Sequence, residues 1–174
     1  MGKFLCAILF MTISTGVFAC DCQPYDSIMS AYHSANVVFE GKVINIDTAI
    51  VSDTINAISS TNSEPHIEVI LEKYLMVKLS ITRLFKGDQQ NTIITIFTPA
   101  AGSACGIQFT PGISYLVYGY TWEFNLIDGG NANTMQNSDN KTSKVSGYST
   151  SLCTRTTKET KNEIAELKRN KLIP

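Results

Sequence analysis

Beyond its first 19 residues the sequence has no long apolar run. No later stretch reaches the roughly 18 apolar residues that a membrane-crossing helix needs. Histidine is scarce: His33 and His66 stand alone, without the spacing of metal ligands, and read as surface residues. There is no Gly-x-Ser-x-Gly elbow, no phosphate-binding glycine loop and no histidine beside a candidate nucleophile, so the chain is not expected to be an enzyme. No internal repeat is visible. An excess of either charge is missing too: 14 basic residues face 15 acidic ones. That balance argues against a nucleic-acid or anionic-membrane partner.

The first 19 residues carry the pattern of an export signal. Lys3 gives the positive start, Phe4 to Ile13 the short apolar core, and Val17 and Ala19 the small −3 and −1 residues of a cleavage site. Cleavage after Ala19 leaves 155 residues, enough for one domain with a real core. Two alternatives compete. The segment is a retained anchor in one. In the other, Val17-Phe18-Ala19-Cys20 acts as a lipobox, with Phe18 a poor fit at its middle position, and Cys20 is acylated. The expected location is therefore secreted, or periplasmic or lipid-anchored through Cys20 in a bacterial host.

Five cysteines become four when Cys6 leaves with the signal: Cys20, Cys22, Cys105 and Cys153. An even number in an exported chain implies two disulfides. A Cys20–Cys22 bridge would close a strained loop. That leaves both N-terminal cysteines tied to the two distant ones, in either order. Each bridge would then close more than 80 residues and contribute roughly 4 to 5 kcal/mol in the chain-entropy model. Termini usually fray, so one stapled this firmly has a position that matters.

Along the mature chain, Tyr25 to Ser34 reads as a short helix with Ile28, Met29 and Tyr32 inward, started by Pro24 and Asp26. Asn36 to Ile46 reads as a strand with a bulge or bend at Gly41. Asp47 to Pro65 is rich in Ser, Thr and Asn and reads as a functional loop or an extended hairpin tip. Leu75, Val77, Leu79 and Ile81 alternate with Met76, Lys78, Ser80 and Thr82, the period of a half-buried strand. Lys86-Gly87-Asp88 turns the chain into a third strand at Thr92 to Phe97.

A fourth strand is expected at Ile113 to Tyr120 after the Pro111-Gly112 turn, and a fifth at Trp122 to Ile127. Asp128 to Gly147 reads as a long loop, with a glycosylation sequon at Asn140. Tyr148 to Thr154 leads the chain back to the body. Thr156 to Glu159 fits a capping box before a helix with Ile164, Ala165, Leu167 and Leu172 inward. Glu68, Glu72 and Lys73 read as a solvated face. Tyr115, Tyr118, Tyr120 and Trp122 read as core, with a base- or sugar-stacking platform as the alternative. Five strands with marginal helices suggest a small antiparallel barrel.

Four features together resemble the inhibitory N-terminal domain of the tissue inhibitors of metalloproteinases, within the netrin-like group. The mature chain begins Cys20-Asp21-Cys22. Ser34-Ala35-Asn36-Val37-Val38 leads into the first strand. Leu84-Phe85-Lys86-Gly87 ends the second. Thr98-Pro99-Ala100-Ala101-Gly102-Ser103-Ala104-Cys105-Gly106 is similar to the family's Thr-Pro-Ala-x-x-Ser-x-Cys-Gly loop. The resemblance spans roughly Cys20 to Cys153 and implies one netrin-like domain over 20–174. Its expected fold is mainly β, a five-stranded OB-fold-like closed barrel with a short N-terminal helix and a C-terminal helix. It also implies the pairing Cys20–Cys105 and Cys22–Cys153. The family's further bridge in this domain is missing at both ends, the first at His33, so no orphan thiol is left.

The function implied by this resemblance is inhibition of a zinc metalloendopeptidase by a monomer with no cofactor of its own. The α-amine and carbonyl of Cys20 would chelate the target's zinc in place of its bound water. An α-amine with a pKa near 8 is neutral often enough to do so. Asp21 would enter the target's main specificity pocket, with Cys22, Gln23 and Pro24 continuing the edge. Ala101, Gly102, Ser103, Ala104 and Cys105 would form a second strip. Asp21 departs from the family's usual Thr or Ser. A carboxylate in an apolar pocket costs several kcal/mol unless paired, so weak inhibition of ordinary matrix metalloproteinases is expected. In the alternatives, the two cysteines are only a staple, or the barrel is a netrin-like scaffold that binds an extracellular-matrix or cell-surface partner.

Overall fold

The structure, a computed structural model, describes residues 27–58, 65–100, 105–127 and 142–174. The expected signal 1–19, the expected edge Cys20 to Pro24, the expected strip Ala101 to Ala104 and the sequon at Asn140 lie outside them. Helix α1 is Ile28–Ser34, followed by strand β1, Val37–Ile58. Strand β2 is Pro65–Lys86 and β3 Ile93–Pro99. Strand β4 is Ser114–Ile127, β5 Thr142–Ser149, and helix α2 Thr160–Arg169.

The five strands form one mixed sheet whose hydrogen bonds run in a ring, in the order β1-β2-β3-β5-β4 and back to β1. The pairs β1–β2, β2–β3 and β4–β5 are antiparallel. The β1–β4 register also runs antiparallel, from Val37↔Gly119 to Lys42↔Ser114, whereas β3 and β5 are parallel, so the sheet is not purely antiparallel as the sequence suggested.

Burial follows the pleat. Val37 and Phe39 of β1, Val77 and Leu79 of β2, and Tyr115 and Val117 of β4 join one core cluster. Their neighbours Val38, Leu116 and Tyr118 point the other way, into a second cluster with Ile28, Ala31, Ile164 and Leu167 of the helices. β4 is thus buried on both faces over this stretch, so its sequence (YLVY) shows no alternation. Register shifts flank Gly41, matching the expected bulge.

Several expectations change. The stretch from Asp47 to Pro65 is not a loop: β1 continues to Ile58 and pairs with β2 back to Pro65. Among the described residues, β1 beyond Ser52 pairs only with β2, which takes up its polar backbone. Trp122 to Ile127 is not a separate strand but the second half of β4. The fifth strand comes from the expected loop 128–147, as Thr142–Ser149. With Val145 as its one aliphatic residue it has little signal of its own. Its ladder to β4, from Tyr120↔Ser149 to Ile127↔Thr142, holds it.

The helices also differ in detail. Ser27 caps α1, accepting from Ser30 N at 3.1 Å. Ala31 is buried there while Met29 is 46% exposed. The capping box at Thr156 does not form, because the Thr156 hydroxyl instead accepts from Tyr118 N at 2.9 Å. Glu159 is the N-cap of α2, without a side-chain capping bond. On α2, Ala165 faces solvent and Glu163 is buried in its place, beside Ile164 and Leu167.

Candidate partner-binding edge

The family-like motifs act first as clamps. Lys86 Nζ donates to the Tyr32 and His33 carbonyls at 2.8 and 2.7 Å, closing the C-terminal end of α1. Tyr32 donates its hydroxyl to the Phe85 carbonyl at 2.8 Å. Gly87 then turns the chain at φ 103°, a conformation that favours glycine. Asn36 Oδ1 accepts from Thr121 N at 2.8 Å, and Asn36 N donates to the Gly119 carbonyl at 2.9 Å, tying the start of β1 to β4.

The loop after β3 is closed at its neck. Thr98 is fully buried, and its Oγ1 accepts from Ile107 N at 3.0 Å. One residue further in, Pro99 lies against Gly106, where a Cβ would sit on the Pro99 carbonyl oxygen. Glycine is required there for close approach, not for its dihedral freedom. Ala100 N donates to the Lys73 carbonyl at 2.9 Å, fixing the outgoing limb to β2. The resemblance led to the expectation of a loop here; that Thr98 and Gly106 shut it is visible only in three dimensions.

Cys105 meets the segment after β5. Leu152 N donates to the Cys105 carbonyl at 2.6 Å, which sets Cys153 one residue from the partner of Cys105. Cys105 and Cys153 both stand in disulfides. Thr150 N donates to the Phe97 carbonyl at 2.9 Å, and the Thr150 hydroxyl lies 2.8 Å from both Thr154 and Thr156 hydroxyls. Leu116 and Thr157 exchange two backbone hydrogen bonds of 2.8 and 2.9 Å. The 150–157 segment therefore covers the part of β4 that β5 does not reach.

A charged cluster anchors that segment to α2. Arg155 donates through Nε and Nη2 to the Glu163 carboxylate at 2.6 and 2.9 Å, a bidentate pair. Tyr118 donates its hydroxyl to the same carboxylate at 3.0 Å. Burial, and then the Glu163 charge, hold the Tyr118 hydroxyl far above its usual pKa. The Arg155 guanidinium is raised chiefly by its hydrogen bond to Glu163. No sequence signal marked Glu163, since a glutamate in the first turn of a helix is ordinarily solvated.

Among the described residues no group of three or more His, Cys, Asp or Glu could hold a metal ion, and no helix is long and apolar enough to cross a membrane. His33, Glu72 and Lys73 are exposed, as expected. Tyr115 and Tyr118 are core residues, while Tyr120 and Trp122 are half-buried. Of the expected binding residues, the structure describes Cys105 alone; Cys20 to Pro24 and Ala101 to Ala104 fall outside it. No protein-family model matches the chain, and no curated protein matches it.

Proposed function

We propose that the chain is an exported inhibitor of zinc metalloendopeptidases, acting through the α-amine and carbonyl of Cys20 as the first residue of the mature protein. The observation that carries this reading is the junction of Cys105 with the 150–157 segment. A Cys-x-Cys terminus needs two anchor cysteines close together, because its own cysteines are only two residues apart. The Leu152–Cys105 hydrogen bond holds the neighbourhoods of two disulfide-bonded cysteines side by side. Bridges Cys20–Cys105 and Cys22–Cys153 would lay the terminus beside the closed neck of the 99–106 loop. The ring order and the single parallel pair, β3–β5, support an OB-fold-like barrel as the scaffold.

In this reading the Cys20 sulfur aims the residue and its backbone does the chelating, forming a five-membered ring with the target's zinc. Asp21 selects targets with a basic pocket, since its carboxylate must be paired when desolvated. The decisive test compares the protein beginning at Cys20 with one carrying an extra alanine before it, against a panel of zinc metalloendopeptidases. Inhibition by the first and its loss in the second is expected; equal inhibition by both sinks the chelate mechanism. Asp21→Thr should strengthen inhibition of a typical matrix metalloproteinase, read as a lower inhibition constant.

A netrin-like binding module for an extracellular partner is the second reading. The β1–β2 hairpin favours it, because its strands stay paired to each other beyond their last pairing with β4 and β3. Mass spectrometry of the mature N-terminus separates the two. An acylated or extended Cys20 removes the chelate and leaves the binding module.

A further inference from the structure

A cleft of about 160 Å³ opens between β1, β2 and β4, bordered by Ser52, Glu72, Tyr74, Trp122, Glu123 and Asn125. It sits at the end of the ring that carries the 99–106 loop, since Tyr74 pairs with Pro99. One wall is aromatic. The Tyr74 and Trp122 rings lie 4.7 Å apart at 33°. Trp122 stacks on Phe124 at 4.2 Å and 23°, and Phe124 meets Phe97 edge-on at 4.6 Å. Tyr74 and Phe124 therefore cover the two faces of the indole, and the half-buried Tyr74 and Trp122 border the cleft with the phenol ring and the indole edge. The rest of the border is polar, with Ser52, Asn125 and two exposed acids, Glu72 and Glu123. Lys144 pairs with Glu123 at 2.8 Å and holds its carboxyl below the usual range, chiefly through that hydrogen bond. Glu72 forms no ion pair among the described residues. Two carboxylates and one ammonium leave the cleft net negative.

An electron-rich phenol ring beside a carboxylate that has no ion pair among the described residues suits a cation, above all a planar one. A guanidinium stacks on Trp and Tyr faces and takes a carboxylate in bidentate fashion. A phosphate would be repelled, and the volume admits a side-chain tip rather than a nucleotide or an oligosaccharide. We propose that this cleft binds the arginine side chain of a basic segment on a protein partner, stacked on the Tyr74 ring beside Trp122 and paired with Glu72. The site is independent of the Cys20 edge and needs no zinc.

Trp122 is the only tryptophan in the chain, so its fluorescence reports on the cleft. The full mature protein is titrated with the peptide acetyl-Gly-Arg-Gly-amide and with its neutral citrulline counterpart. A saturable change in emission with the arginine peptide is expected, weakening as salt rises and absent with citrulline. Glu72→Gln, a change at an exposed position, should weaken binding about tenfold or more, as for one lost charge-assisted hydrogen bond. The proposal is overturned by no saturable response to the arginine peptide, by an equal response to citrulline, by tighter binding of a neutral trisaccharide, or by unchanged affinity in Glu72→Gln. None of these readouts involves a protease, so failure here leaves the inhibitor reading standing, and the reverse.

Discussion

Thr98→Val keeps the shape of a fully buried side chain and removes one oxygen. That oxygen accepts from Ile107 N at 3.0 Å across the neck of the 99–106 loop. With a methyl in its place the amide stays buried without a partner, at a cost of about 1–3 kcal/mol. For a domain of this size that corresponds to a fall of roughly 2–12 °C in melting temperature. Thr98→Ser makes the opposite trade. It keeps the acceptor and loses a buried methyl, worth about 0.8 kcal/mol with a further small cavity cost. If the hydroxyl matters for its hydrogen bond, stability runs wild type, then serine, then valine. If it matters only as buried volume, valine equals or exceeds the wild type and serine is the weakest. Urea and thermal unfolding of the three oxidised proteins decide between these orders. A valine variant at least as stable as the serine variant would refute the clamp described for this neck.

The same neck predicts that Gly106→Ala is severe, because the new Cβ meets the rigid Pro99 carbonyl rather than a side chain that could turn away. A loss of several kcal/mol is expected, and proteolysis should begin in the loop at temperatures where the wild type resists. Tyr118 gives a pH dependence. Its folded pKa is raised above 10.0, first by burial and then by Glu163, so its contribution is fully present below pH 10. Above that the unfolded state loses the proton while the folded state keeps it, and stability falls by about 1.4 kcal/mol per pH unit. Tyr118→Phe should be less stable at pH 7, through the lost hydrogen bond to Glu163, yet show a shallower decline between pH 10 and 11 in urea melts. A slope as steep as the wild type's would mean that Tyr118 is not the titrating group.

Much of the architecture is legible from local signals. The alternation from Leu75 to Thr82 marks β2, and Lys86-Gly87 and Pro111-Gly112 mark turns, since each depends on residues close in sequence. The long β1–β2 hairpin and β5 were hidden by polar composition. Thr142 to Ser149 is a strand because β4 is beside it, not because its residues demand one. The Thr156 hydroxyl shows the same limit: the pattern suited a helix cap, and the Tyr118 amide captured it. The cation cleft joins residues from three strands, with Glu72 and Glu123 looking like ordinary surface acids until Tyr74 and Trp122 are set between them.

Alone, the sequence determined the mainly β character, the disulfide state of Cys105 and Cys153 and the glycine needed at the Lys86-Gly87 turn, because these rest on backbone dihedrals, side-chain periodicity and the arithmetic of thiols. Only the tertiary structure decided which hydroxyl closes the 99–106 neck and why Glu163 is buried. It also decided that Leu152 holds the neighbourhoods of Cys105 and Cys153 together. Each of these depends on a partner outside the local helix or strand repeat, and a hydrogen bond at such a separation leaves no periodic trace in either segment.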